Sequence, residues 1–136
     1  YLSFRWNFMG SAVVTDHYVR LTPTEGGNEG SIWSNSLMPF KEWKMFLEFK
    51  IAGQRYLGGD GMVLWFTEGS NTFGNTFGNQ EDFKGLGVVF DTYDNDGKRD
   101  NPSISAILSD GSLARSRTVI HGRHVSGPAP LLKGCH

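Results

Sequence analysis

Four aspartates and two asparagines lie within eleven residues, directly after an apolar run. They are Asp91, Asp94, Asn95, Asp96, Asp100 and Asn101. Hard cations such as Ca²⁺ take six to eight oxygen ligands from carboxylates, amide carbonyls and backbone carbonyls. Carboxylates this close repel one another without a cation, and in sequence only Lys98 and Arg99 are near enough to offset them. The pattern fits a calcium-binding loop.

Other interpretations of these acidic residues stay open. A solvated turn is one, because Asn95-Asp96-Gly97 is common turn chemistry. An EF-hand is rejected, since the sixth position from Asp94 is Arg99 rather than Gly. Asp60 and Glu68 are candidates for the carboxylate pair of a glycoside hydrolase, although their spacing along the chain sets no geometry. Asp60 is equally compatible with a plain turn, because glycines flank it on both sides.

The elements that would position these residues are strands. Residues 43–51 alternate apolar and polar side chains, which predicts a strand with one buried face. Residues 62–66 and 86–90 are continuous apolar runs of strand length, and residues 104–108 alternate again. Shorter strands are predicted at 18–21 and 31–33. No segment has sustained helical periodicity, so we predict an all-β fold of two packed antiparallel sheets.

Charge and aromatic content divide the chain in two. The net charge of −1 gives no electrostatic case for nucleic-acid binding, and no apolar run is long enough to cross a membrane. Residues 1–110 hold all 14 acidic residues, 9 of the 13 basic ones and every aromatic, for a net charge of −5. Residues 111–136 carry +4. We therefore predict a folded body over 1–110 and a divergent basic tail over 111–136, which we expect to be irregular.

Several motifs of the body resemble one family. They are, in chain order, Gly30-Ser31-Ile32-Trp33, Gly58-Gly59-Asp60-Gly61 with the apolar run after it, Phe77-Gly78, and the stretch 84–97 that ends in Asp94-Asn95-Asp96-Gly97. This order resembles the intracellular L-type lectins, the mannose-binding cargo receptors of the ERGIC-53 and VIP36 type, over about residues 4–112. The resemblance implies a legume-lectin-like β-sandwich that binds Ca²⁺ and high-mannose N-glycans and catalyses no reaction.

The same resemblance implies roles for individual residues. Asp60 would accept hydrogen bonds from mannose hydroxyls, and Asn95 would contact both the sugar and Ca²⁺. Asp91, Asn95 and the carbonyl of Tyr93 match one metal site. A second site, found in some members of the family, is matched by Asp94, Asp96, Asp100 and Asn101, with Asp100 where the family has Asn. Calcium would then hold the loop so that Asn95 and Asp60 meet one sugar.

The tail departs from the family pattern. Members carry a Tyr-Asp-His segment and then Asp-Gly after the turn at 109–111, whereas residues 111–136 contain no acid. His121 is the candidate replacement for the sugar-contacting His. The family domain also continues further than this chain. We therefore expect a truncated or fragmentary domain whose apolar faces lack cover.

These expectations define the functional hypotheses. The first is calcium-dependent recognition of high-mannose N-glycans by a cargo receptor in ER–Golgi transport, impaired by truncation. By resemblance, the parent protein would be a type I membrane protein with this part in the lumen of the ER, the ER–Golgi intermediate compartment or the Golgi. The alternatives are a glycoside hydrolase on a related sandwich and a calcium-binding fragment without sugar binding.

Overall fold

The computed structural model describes residues 5–52, 59–69, 73–112 and 118–121. These residues form antiparallel strands and no helix, and so include no helix that could span a membrane. The strands are β1 (Trp6–Gly10), β2 (Val13–Val14), β3 (Val19–Arg20), β4 (Gly30–Ser34), β5 (Gly61–Glu68), β6 (Lys84–Asp91), β7 (Ser103–Asp110) and β8 (Thr118–His121). β1 pairs with β4 and β2 with β3, while β5, β6, β7 and β8 form one sheet in chain order. The predicted all-β antiparallel class is confirmed.

The four-stranded sheet is built from the apolar runs that the sequence marks as strands. β5 contains residues 62–66 and β6 contains residues 86–90, so both predictions are confirmed. β7 contains the alternating segment 104–108, and it pairs with β6 along its whole length. The short strands predicted at 18–21 and 31–33 correspond to β3 and β4. β1 and β2 lack a clear period-two pattern, which explains why the sequence did not predict them.

The buried core lies on one face of this sheet. Phe83, Val89 and Ile107 form its centre, with Val63 and Trp65 packed against them. The edge of the Phe83 ring meets the Trp65 ring at a centroid distance of 4.8 Å. Glycine is required opposite Trp65 in the ladder, because a Cβ on Gly87 would lie 2.5 Å from the indole ring. The core is therefore shaped around two aromatic side chains.

The opposite face of the sheet is covered by residues 43–51, which form no strand. The strand predicted at 43–51 is therefore wrong, although two of its alternating apolar residues, Trp43 and Phe49, face the sheet. Trp43 packs against Phe66 and Phe49 against Phe90 with tilted rings, whose centroids are 4.7 and 4.8 Å apart. In the part of the chain that the structure describes, no neighbouring strand pairs with the backbone of this segment. An apolar pattern indicates which side chains face a sheet, but a hydrogen-bonded ladder also needs the backbone of a neighbouring strand.

Cover on that face is incomplete. Large apolar side chains remain exposed both on the sheet and on the segment that precedes it: Leu37, Phe40, Phe46, Phe66, Ile104 and Leu108. The exposed fraction is 91% for Leu37 and 89% for Phe46. The apolar surface expected to lack cover is thus observed at Phe66, Ile104 and Leu108 on this face of the four-stranded sheet.

Part of the basic tail is regular. Residues 118–121 form β8 and pair with Ser105–Leu108 of β7. The expectation that the tail is irregular was wrong for these four residues, because β7 offers them an unpaired edge. Residues 113–117 and 122–136 lie outside the described residues, as does the expectation for them.

A tight turn closes the loop between β5 and β6. Thr76 and Asn79 exchange two backbone hydrogen bonds of 3.0 and 2.8 Å around Phe77 and Gly78. Both central residues have positive φ, +47° at Phe77 and +79° at Gly78, as a type I′ turn requires. Phe73 and Phe77 are exposed. Phe77 thus holds a backbone conformation that is costly for a bulky residue.

The substitution Phe77→Asn is expected to raise the free energy of unfolding by about 1 kcal/mol, because Asn tolerates the left-handed region. Little burial is lost, since Phe77 is 59% exposed. Urea denaturation followed by tryptophan fluorescence measures the change. Phe73→Asn serves as the control, because Phe73 has no positive φ. Equal or lower stability of Phe77→Asn would show that ring contacts outweigh the backbone strain.

Candidate functional site

The predicted site residues gather at one end of the four-stranded sheet. β6 ends at Asp91, which pairs with Gly61 at the start of β5 and with Ser103 at the start of β7. β8 ends at His121, whose register partner is Ser105. Asp60, the acidic loop and position 121 therefore belong to the same sheet end. The strand order β5-β6-β7-β8 determines how Asp60, the acidic loop and position 121 follow one another along that end.

Asp60 is held beside the start of the acidic loop by its backbone. Thr92 donates its backbone N–H to the carbonyl oxygen of Asp60 at 3.1 Å. Gly61 makes this approach possible, because it has a φ of +145° and a Cβ there would overlap the carbonyl oxygen of Phe90. The Asp60 side chain is exposed. A free carboxylate is thus presented at the edge of the loop.

Three aspartates of the loop form a compact cluster. One carboxylate oxygen each of Asp94, Asp96 and Asp100 lies within 4.8 Å of the others. Arg99 donates its backbone N–H to Asp94 Oδ2 at 3.0 Å, and its positive φ of +60° turns the chain back toward that oxygen. Asp94 Oδ1 is buried and has no hydrogen-bond partner among the residues that the structure describes. A buried carboxylate oxygen without a donor suits a metal ion, so this cluster could hold one.

Lys98 occupies both oxygens of one of these carboxylates. Its backbone N–H donates to Asp96 Oδ1 at 3.1 Å, and its ammonium contacts Asp96 Oδ2 at 2.5 Å. These hydrogen bonds lower the pKa of Asp96 below its ordinary value of 3.8. Hydrogen bonding to Asp96, with attraction by Asp96, Asp100 and Asp94, raises the pKa of Lys98 above 10.5. At neutral pH the pair is therefore fully ionised.

The residues matched to the other metal site contact one another. Asp91 Oδ1 accepts a hydrogen bond from the backbone N–H of Tyr93 at 3.2 Å. The Tyr93 carbonyl accepts two from Asn95, at 3.0 Å from the backbone N–H and 3.3 Å from Nδ2. Asn101 donates Nδ2 to the carbonyl of Asp91 at 3.4 Å. These hydrogen bonds link Asp91, Tyr93, Asn95 and Asn101. Asn101, matched to the second site with the three aspartates, thus also contacts the residues of the first.

The carboxylate pair considered for hydrolysis is not brought together. Asp60 precedes β5 and Glu68 is its last residue, so eight residues of extended chain, about 26 Å, separate them. Glu68 also forms an exposed ion pair with Lys84 at 3.0 Å. The pair is therefore too far apart for a glycosidase, which needs roughly 5–10 Å.

Sequence reasoning treated Lys98 only as partial charge compensation and missed its direct hold on Asp96. A signal exists in Asp96-Gly97-Lys98, because an aspartate often accepts the backbone N–H two residues later in a turn. Gly61 was seen only as a turn residue. Its role in bringing Asp60 to Thr92 depends on strand register, which the sequence does not reveal.

Comparison with known proteins identifies the family. The model of the Legume-like lectin family matches residues 2–126, most of the chain. The chain belongs to the legume-like lectin family. The chain is 42% identical over 113 residues to the human vesicular integral-membrane protein VIP36, and 32% identical over 108 residues to mouse ERGIC-53. The predicted family resemblance is confirmed.

Solved structures support the same family. The chain matches the crystal structure of the VIP36 exoplasmic/lumenal domain in its Ca²⁺/Man3GlcNAc-bound form with a TM-score of 0.74 and 42% identity, over 81% of this chain and 48% of that one. VIP36 has also been solved in a Ca²⁺-bound and a metal-free form. The alignments cover 80% of this chain against 32% of human VIP36, and 79% against 21% of mouse ERGIC-53. The chain thus spans about a third or less of the length of these relatives and about half of the solved domain.

Proposed function

We propose that this chain binds high-mannose N-glycans of glycoproteins in a calcium-dependent manner and catalyses no reaction. The observation that carries the proposal is the hydrogen bond from Thr92 to the Asp60 carbonyl. It joins a free carboxylate to the first residue of an oxygen-rich loop. A sugar acceptor and a metal loop would thereby become parts of one site. The similar VIP36 domain has been solved in a form bound to both Ca²⁺ and Man3GlcNAc.

The loop residues fit a calcium ion by their chemistry. Asp94, Asp96, Asp100 and Asn101 would hold one ion, and Asp91, Asn95 and the carbonyl of Tyr93 another; all supply the oxygen ligands that Ca²⁺ prefers. The unpartnered Asp94 Oδ1 supports the fit. The ion would supply positive charge that fixes the loop. Asn95, which is exposed, would then be held ready for the sugar, and less ordering would be needed on binding.

The sugar would be read by hydrogen bonds to its hydroxyls. An ionised Asp60 offers two acceptor oxygens to neighbouring hydroxyl donors, and such charge-assisted bonds are stronger than neutral ones. His121 is the proposed third contact. Its support is the register of β8, which ends at the sheet end where Asp60 lies.

The cellular role proposed is that of a cargo receptor in ER–Golgi transport. Relatives named vesicular integral-membrane protein, with exoplasmic/lumenal domains of known structure, support a position in the lumen of the secretory pathway and a membrane-anchored parent protein. The body over 1–110 would form the N-terminal part of the recognition domain, with 111–136 as a divergent basic tail.

Binding of this chain to immobilised high-mannose oligosaccharide tests the proposal. We expect binding in Ca²⁺ that falls at least about tenfold with a chelator, because the loop carboxylates then repel one another, and that returns when Ca²⁺ is added back. A galactose-terminated oligosaccharide is the control ligand. Binding that the chelator leaves unchanged would contradict the calcium dependence. Calcium binding without any mannose binding would favour a metal-binding fragment.

A further inference from the structure

Lys98 is placed where a cation bound to the acidic cluster would need Asp96. The two contacts of Lys98 take up both carboxylate oxygens, one through the backbone and one through the ammonium. The ammonium is also attracted by Asp94 and Asp100, the other two members of the cluster. The Lys98 side chain thus already places a positive charge beside the three carboxylates that would bind a divalent ion.

Lys98 is also free to leave. Its side chain is 71% exposed, and that of Asp96 is 50% exposed, so both face water. A lysine stem is flexible, and its ammonium is well solvated when it turns outward. An exposed pair of this kind is weak, so a divalent ion can displace it. By contrast, Asp94 is held by the backbone of Arg99, which cannot swing away as a side chain can.

We propose that Lys98 is a built-in competitor for the calcium ion of this loop, and that its ammonium must leave Asp96 before the ion binds the cluster. This rests on the calcium site of the proposed function. When the loop is empty, Lys98 offsets the repulsion among the three aspartates. When the ion enters, Lys98 moves to solvent, because two cations at one carboxylate repel each other. Lys98 thereby weakens calcium binding and makes its release easier.

Replacing Lys98 tests this directly. In calorimetric titration of the whole chain with Ca²⁺, Lys98→Met is expected to bind about three- to tenfold more tightly than the parent chain, because the competing charge is gone. Lys98→Arg keeps the charge and is expected to stay within about twofold. Terbium luminescence, excited through energy transfer from nearby aromatic residues, gives an independent ranking of the affinities of the unsubstituted chain and the two variants.

A matched control is available in Lys84, which also forms an exposed ion pair with a carboxylate, Glu68. Lys84 begins β6 whereas the loop follows its last residue, Asp91, so the two ends are about 23 Å apart. That distance exceeds the screening length in ordinary salt, so Lys84→Met is expected to leave the calcium affinity within about twofold.

The outcomes separate this inference from the proposed function. A parent chain that binds Ca²⁺ and a Lys98→Met variant that binds no more tightly would overturn the role of Lys98 alone. An equal gain in Lys84→Met would also overturn it, since a general charge effect would then suffice. If neither the parent chain nor Lys98→Met binds Ca²⁺, the calcium site itself fails. Calcium binding that appears only in Lys98→Met would support the competition most strongly.

Discussion

Replacing Phe83 by alanine is expected to lower the free energy of unfolding by about 3–5 kcal/mol. Phe83 is only 1% exposed and touches the centre of the core, formed by Val89 and Ile107 on neighbouring strands. Its ring also meets Trp65 edge to face. Truncation would therefore leave a cavity beside a large aromatic side chain that the strand backbone holds in place.

Chemical denaturation followed by the fluorescence of Trp65 and its neighbours measures this loss. Phe46→Ala is the matched control, because Phe46 is 89% exposed and its removal is expected to cost less than about 0.5 kcal/mol. If Phe83→Ala does not fold, Phe83→Leu is measured instead, and its free energy of unfolding is expected to fall by about 1–2 kcal/mol. A loss below about 1 kcal/mol in Phe83→Ala would mean that Phe83 is not at the centre of the core.

The second large effect is expected at Asp60, where Asp60→Asn should weaken mannose binding about a hundredfold or more. Two charge-assisted hydrogen bonds of roughly 1.5–3 kcal/mol each depend on the ionised carboxylate. Asn keeps one acceptor oxygen and puts an amino group, which donates, where a second acceptor is needed. Folding is not expected to change, because the Asp60 side chain is exposed and its structural hydrogen bond comes from its backbone carbonyl.

Isothermal titration with mannose and, separately, with Ca²⁺ distinguishes the two kinds of site in this variant. Calcium affinity is expected to stay within about twofold of the parent chain. Asp82→Asn is the control, because Asp82 is exposed and precedes β6 at the other end of the sheet. Mannose binding by Asp60→Asn at the strength of the parent chain would remove Asp60 from the proposed site.

Much of the fold was predictable because three strands carry their own signal. The apolar runs at 62–66 and 86–90 and the alternation at 104–108 reflect burial of the strands themselves, and all three correspond to strands. Residues 43–51 have as clear a pattern but form no strand, since pairing depends on a second backbone that the pattern does not specify. β8 shows the converse, because a free edge of β7 recruits residues with no apolar alternation of note.

The candidate site was likewise predictable only in part from the sequence. The composition of residues 91–101 predicts metal chemistry without any structure, because oxygen ligands are visible as residue types. The grouping of Asp94, Asp96 and Asp100 apart from Asp91 was available only through family resemblance. The contact between Lys98 and Asp96 and the backbone link from Asp60 to Thr92 depend on turn geometry and strand register. Neither property is encoded by composition.

The junction of β6, β5 and β7 at Asp91 also bears on how such a site can evolve. The three strands are joined residue by residue up to this point, whereas residues 92–102 leave the ladder and return to it. Loops of this kind accept changes in length and composition that a paired strand does not. Metal preference can therefore drift by substitution within the loop, while the carboxylate beside it keeps its place. Selection can tune one half of the site without rebuilding the other.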